Sequence, residues 1–260
     1  MVPPVVIESP DDPRVADYVG LKGRDSAALP FFIAESELVV RRLTGSPFAV
    51  RSYLFSPERH ARLADAVADS VAPVYLADRD VMSAIAGYDV HRGVLASVTR
   101  VILPALADVL GTARRLLLLE GSNDTENIGS AARSARGLGF DALVIDPTCA
   151  DPFSRRAVRV SMGEILFLPV VQCVDWPGAL RQIAAAGFEV WALTPDAAST
   201  DLRSLEVPQK VAILGGAEGP GLTATTLATA TRRVRIPMHH GVDSLNLGHA
   251  LAIAMAHVSP

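Results

Sequence analysis

The feature that most constrains this chain is a series of short, nearly uncharged runs separated by helical patterns. From Arg115 onward LLLLEG (Leu116–Gly121), ALVID (Ala142–Asp146), ILFLPVV, FEVWALT, KVAILGG and RRVRIPM follow one another, with helical stretches at 127–138, 177–186, 222–229 and 244–257 between them. A continuous apolar run suits a strand buried on both faces, and strands alternating with helices give a parallel sheet covered on both sides. In such sheets ligands bind outside the carboxyl ends of the strands. That directs attention to three loops, after Glu120, after Leu214 and after Ile236.

The first hundred residues mix shorter helical and extended patterns. PFFIA, VRSYLFS, VYLA and GVLASV read as strands; Asp11–Gly20, Glu35–Leu43, the stretch opening at Pro57 and DRDVMSAIAG read as helices, the last ended by Gly87. They predict a small α/β/α sandwich over residues 1–100. A weakly charged helix, Pro104 to Gly111, then leads into a second domain over 101–260.

Composition bounds the function classes. Half the residues are apolar and 20% are charged, so a large core forms without long disorder. Cys149 and Cys173 are too few and too far apart for a disulfide framework or a zinc site. The N-terminus lacks the basic start and apolar core of a signal peptide, and no apolar run reaches the ~18–20 residues a bilayer needs. A soluble protein of the reducing cytoplasm is expected. The net charge of −4 argues weakly against a nucleic-acid partner, although local patches are what neutralise phosphates. Lys22 and Lys210 are the only lysines among 24 basic residues, and arginines cluster at Arg41-Arg42, Arg114-Arg115, Arg155-Arg156 with Arg159, and Arg232-Arg233 with Arg235.

Chemistry concentrates at the three loops. In EGSNDTENIGSAARSARGLGF (Glu120–Phe140) a strand gives way to a helix starting near Asn127, with Gly129 in its first turn and Arg133 further along; helix N-termini and arginine forks both bind phosphate. In LGGAEGPGL (Leu214–Leu222) a glycine-rich turn lets backbone approach a ligand, and Glu218 places a carboxylate there. In RIPMHHGVDSLNLGHALAIAMAH (Arg235–His257) a helix is expected to begin at Asp243 or Ser244, which leaves Asn246 inside its first turn, a poor choice for stability alone. The histidines fall in no HExxH-like spacing, so no metal is expected. The glycines match neither a GxGxxG fingerprint nor a P-loop.

Together the segments resemble the SpoU-type (TrmH-like) ribose methyltransferases of the SPOUT superfamily. The N-x-G-x-x-x-R element is carried by Asn127, Gly129 and Arg133. G-x-E-G-x-G-L is carried by Gly216, Glu218, Gly219, Gly221 and Leu222. I-P-M-x-x-G-x-x-S-L-N is carried by Ile236, Pro237, Met238, Gly241, Ser244, Leu245 and Asn246. An S-x-G element matches Ser161–Gly163, and the similarity extends over about residues 114–258. After SLN the family usually continues valine, serine, valine and alanine, whereas this chain reads Leu247, Gly248, His249 and Ala250. The N-terminal third resembles, more loosely, the L30e-like substrate-binding domain often fused to these enzymes, through LKGRDS and FFIAESELVVRRL, with Ser36 where glycine is more common.

The resemblance implies a parallel-sheet α/β domain with a deep trefoil knot, preceded by the small L30e-like α/β/α domain. It implies S-adenosyl-L-methionine as cofactor, held near Thr194, Gly216, Gly219, Ile236, Met238 and Leu245. The reaction would be attack of an rRNA or tRNA ribose 2′-hydroxyl on the sulfonium methyl. Arg133 would contact the target phosphate and 2′-oxygen, as base or as electrostatic stabiliser, with Asn127, Glu218, Ser244 and Asn246 positioning it and the cofactor. Arg41, Arg42, Arg155 and Arg156 would join Arg133 in binding RNA, and the site would be completed in a homodimer. Two other classes are a catalytically silent RNA-binding protein of the same fold, against which the retained Arg133 and Asn246 speak, and a Rossmann oxidoreductase, against which the absent GxGxxG speaks.

Overall fold

Local sequence signals set the boundaries of most elements in the computed structural model, which describes residues 3–23 and 27–259. Arg24, Asp25 and Ser26 of the expected LKGRDS opening lie outside the described residues. The chain divides into two compact units, 1–101 with 153–167, and 102–152 with 168–260.

The first unit carries β1 (Val5–Val6), β2 (Phe31–Glu35), α1 (Glu37–Leu43), β3 (Val50–Phe55), α2 (Pro57–Val67), β4 (Val74–Leu76), α3 (Arg79–Ala86) and β5 (Val94–Thr99). Pro57 opens α2 at its first turn, and Gly87 ends α3 in the left-handed conformation. The helix expected before Gly20 is a 3-10 segment, Pro13–Tyr18, capped by Asp12. The sheet order is β1-β4-β3-β5-β2, with β5 antiparallel to both its neighbours. One face packs Phe31, Ile33, Leu54 and Leu95 against Met82 and Ile85 of α3. On β2 the alternate residue Phe32 points to the opposite face, where it meets Phe48 and Phe153 at 5.5 and 5.6 Å between ring centroids. Ser36, at φ 104°, occupies backbone space that favours glycine, in keeping with the residue more common there.

In the second unit α4 (Leu106–Leu110), β6 (Arg115–Glu120), α5 (Thr125–Gly137) and β7 (Ala142–Ile145) come first. Next in the chain is α6 (Arg155–Val160), which belongs to the first unit. Then follow β8 (Val170–Gln172), α7 (Trp176–Ala185), β9 (Glu189–Leu193), β10 (Thr200–Asp201), β11 (Val211–Gly216), α8 (Ala224–Thr229), β12 (Arg232–Arg235) and α9 (Leu247–Val258). The seven strands are all parallel, in the order β10-β12-β9-β11-β6-β7-β8. Leu116, Leu118, Val144, Val190, Ala212 and Leu214 face α4, α7 and α8. Helices α5 and α9 pack together, against β7 and β11 respectively. Arg115 ties β6 to α9 by donating from Nε to the Val258 carbonyl at 2.7 Å.

Three expectations are corrected. ILFLPVV is not one strand: Glu164–Phe167 is a 3-10 turn and β8 begins only at Val170, because Pro169 cannot donate to a ladder within a strand. The segment Phe153–Phe167, read above as part of the C-terminal domain, packs with the first unit, where Phe153, Ala157 and Val158 are buried. Helix α9 starts at Leu247, not at 243 or 244, and Asn246 is its N-cap, with Oδ1 accepting from His249 N at 3.3 Å. A cap is where asparagine favours a helix, so part of its presence is structural.

Candidate active site

The three loops meet at the carboxyl ends of β6, β9, β11 and β12. Asp124 caps α5 by accepting from Glu126 N at 2.7 Å, and this places Asn127, 5% exposed, in the first helical turn. Beyond β12, residues 236–246 lead into α9. Asn246 joins the loops: its Nδ2 donates to Asn127 Oδ1 at 2.9 Å and to Glu218 Oε1 at 2.8 Å. Glu218 Oε1 also accepts from Leu247 N at 3.3 Å. With Asn246 Oδ1 engaged by its cap bond, every role of that amide is fixed. Asn127 presents its oxygen to Asn246.

Beside this network lies a cavity of about 390 Å³. Leu193, Val234, Ile236, Met238 and Leu245 give it apolar walls, and the glycine-rich strand end and loop 215–221 give it backbone. All six residues assigned to the cofactor line it: Thr194, Gly216, Gly219, Ile236, Met238 and Leu245, together with Glu218, Ser244 and Asn246. Glu218 is the only charged side chain among those described in the lining. Val234 and Gly215 were not singled out from the sequence; their signal is their place at the ends of strands. Gly216 is required by the loop itself, since a Cβ there would lie 2.5 Å from Gly221 C and Leu222 N. Gly248 lets α9 press on α5, where a Cβ would sit 2.5 Å from Ser130 Oγ. That contact gives the Leu247-Gly248-His249 departure a packing role.

Two site residues stand apart. Ser244 lines the cavity, exposed and without a hydrogen-bond partner among the described residues. Arg133 is exposed on α5, also without such a partner, and is not among the residues that line the cavity. Near the carboxyl end of β7, burial first and the Asp146 carboxylate second push the Cys149 thiol up to about 12. It stays protonated at neutral pH, which disfavours nucleophilic chemistry there.

The other arginines expected to bind RNA are engaged within the first unit. Arg41 pairs with Asp65 at 2.7 Å and donates to the Arg62 carbonyl. Arg42 pairs with Glu164 at 2.8 Å and donates to the Met162 carbonyl. Arg155 pairs at 2.8 Å with Glu35, which is 1% exposed, and Arg159 approaches the same carboxylate at 3.6 Å. Arg156 is exposed. No group of three or more metal-binding side chains occurs among the described residues, and no helix among them is long and apolar enough to cross a membrane.

Residues 114–256 match the model of the SpoU rRNA methylase family. The chain belongs to that family. It is 44% identical to a tRNA/rRNA methyltransferase of Mycobacterium tuberculosis, over 94% of this chain and 88% of that one. It is 30% identical to a 23S rRNA (guanosine-2′-O-)-methyltransferase, RlmB, of a Burkholderia species, over 84% and 91% of the two chains. The AdoMet-bound rRNA methyltransferase of Sinorhizobium meliloti has a similar structure, with a TM-score of 0.83 at 25% identity over 97% of this chain and 96% of that one. Membership in the SPOUT class of α/β proteins follows, and it agrees with the reading of the three loop motifs.

Proposed function

We propose that this SpoU-family chain methylates a ribose 2′-hydroxyl in 23S rRNA, using S-adenosylmethionine, as a homodimer. The observation that carries the reading is the character of the cavity at the sheet's carboxyl edge. Its walls are apolar, its glycine loop offers backbone, and its one charged side chain is the carboxylate of Glu218. A dinucleotide or nucleoside triphosphate would set its phosphates beside the Glu218 carboxylate, with no cation among the described lining residues to offset the repulsion. A phosphate-free cofactor with a sulfonium centre fits a site with a single anion and no cation. Bound there, S-adenosylmethionine supplies an activated methyl group.

The chain's own residues supply alignment and charge. Asn246 holds Asn127 and Glu218 in one network, which fixes the walls facing the reacting atoms. Arg133 contacts the phosphate beside the target ribose and stabilises negative charge on the 2′-oxygen as its proton passes to water; a guanidinium holds its own proton too tightly to serve as the base. The deep trefoil knot of the SPOUT fold belongs to the same reading, with the C-terminal segment threaded through a loop. Dimerisation is supported by α9, which is apolar nearly all round and leaves Ile253 43% exposed. A second copy against it would bring Arg133 to a site with no cation among its described lining residues.

Calorimetry with S-adenosylhomocysteine and with NAD tests the cofactor. Binding of the first and not the second is expected, and the reverse would make the chain an oxidoreductase. Gly216→Val is expected to abolish S-adenosylhomocysteine binding, because the new side chain collides with the backbone at Gly221 and Leu222. Unchanged affinity in a folded variant would remove the loop from the site.

A further inference from the structure

We propose that Arg136 acts with Arg133 as a two-arginine phosphate clamp on α5, gripping a second RNA phosphate next to the one at the target nucleotide. This rests on the reading that Arg133 meets RNA phosphate. The observation is a contrast in charge compensation. Several arginines outside α5 are neutralised from within: Arg41 by Asp65, Arg42 by Glu164, and Arg155 and Arg159 by Glu35. Arg133 and Arg136 are both exposed, and neither side chain has an ion pair, hydrogen bond or ring contact among the described residues. Three residues apart, they share one face of the helix, where like charges repel. The one acidic residue of α5, Glu126, lies in the first turn, two turns before Arg133, and cannot relieve that repulsion. Two adjacent forks left uncompensated on a helix whose first turn builds the active site match an external chain of phosphates.

Arg136 also sits in the last turn of α5, where a cation favours the helix dipole, so its test must separate RNA contact from helix stability. The measurements use the full chain and 23S rRNA transcribed in vitro. Arg136→Ala is expected to raise the RNA Michaelis constant roughly fivefold. It should also flatten the slope of log affinity against log salt by about 0.7–0.9, the share of one phosphate. Turnover at saturating RNA and S-adenosylhomocysteine affinity should not change. Arg181→Ala is the control, since Arg181 is equally exposed and lacks a described partner, but lies on α7, across the sheet from α5. It should alter neither quantity. An unchanged Michaelis constant and slope in Arg136→Ala, or a fall in melting temperature with the slope intact, would overturn the clamp. A failure of the parent reading shows elsewhere, as full turnover in Arg133→Ala.

Discussion

Replacing Arg133 with alanine is expected to lower methyl transfer roughly a hundred- to a thousandfold, the usual effect of removing one preorganised stabiliser of developing charge. S-adenosylhomocysteine affinity should be unaffected, because Arg133 is not among the residues lining the cavity that would hold it. Arg133→Lys should also be strongly impaired, since a point charge does not reproduce a planar, two-pronged donor. The exposed position of the side chain makes a folding defect an unconvincing explanation for either loss. Single-turnover rates at saturating RNA, alongside calorimetry, check both halves. An alanine variant with normal turnover would remove Arg133 from the chemistry.

The largest effect on stability is expected at Glu35. Its carboxylate is almost fully buried and accepts from Arg155 at 2.8 Å, with Arg159 at 3.6 Å and the Tyr88 hydroxyl at 3.4 Å. The Arg155 guanidinium also lies 4.1 Å from the centre of the Tyr88 ring. Burial, and then the negative charge of Glu35, push the Tyr88 hydroxyl up to about 12, so it remains protonated at neutral pH and can donate. Glu35→Ala removes the acceptor shared by these groups and leaves two guanidinium groups facing a void. Breaking a buried pair from one side typically costs about 3–5 kcal/mol; roughly 3 kcal/mol is expected, because both arginines keep partial access to water. Urea denaturation measures it, and an unchanged midpoint would show that the cluster contributes nothing. Arg155→Ala separates the two roles available to that arginine. A stability loss with an unaltered salt dependence of RNA binding marks a structural residue, whereas the reverse marks a phosphate ligand.

The sequence was most informative where chemistry and geometry coincide. The glycine loop after β11, the strand ending at Glu120 and the residues preceding α9 all converge because a parallel sheet places its carboxyl-end loops together. Less was legible where a residue serves a distant partner. Glu35 and Arg155 are 120 residues apart, and nothing local distinguishes an arginine that will meet a buried carboxylate from one that will meet RNA. Phe153 and Val158 are buried in the first unit, and nothing local in an apolar side chain says which core receives it. Asn246 illustrates a double use: the oxygen of its amide caps α9 while the nitrogen joins Asn127 to Glu218. Its expected place inside the first turn of an apolar helix pointed to a role other than stability, but the later helix start, the cap and the network are visible only in three dimensions.

The most direct test is to incubate the full chain with 23S rRNA transcribed in vitro and methyl-labelled S-adenosylmethionine, digest the RNA to nucleosides and identify the labelled product. A single 2′-O-methylnucleoside is the expected result, absent in Arg133→Ala. Label on a base in place of the ribose would contradict the assignment of this site to ribose methylation, and no transfer from a chain that binds S-adenosylhomocysteine would contradict 23S rRNA as its substrate.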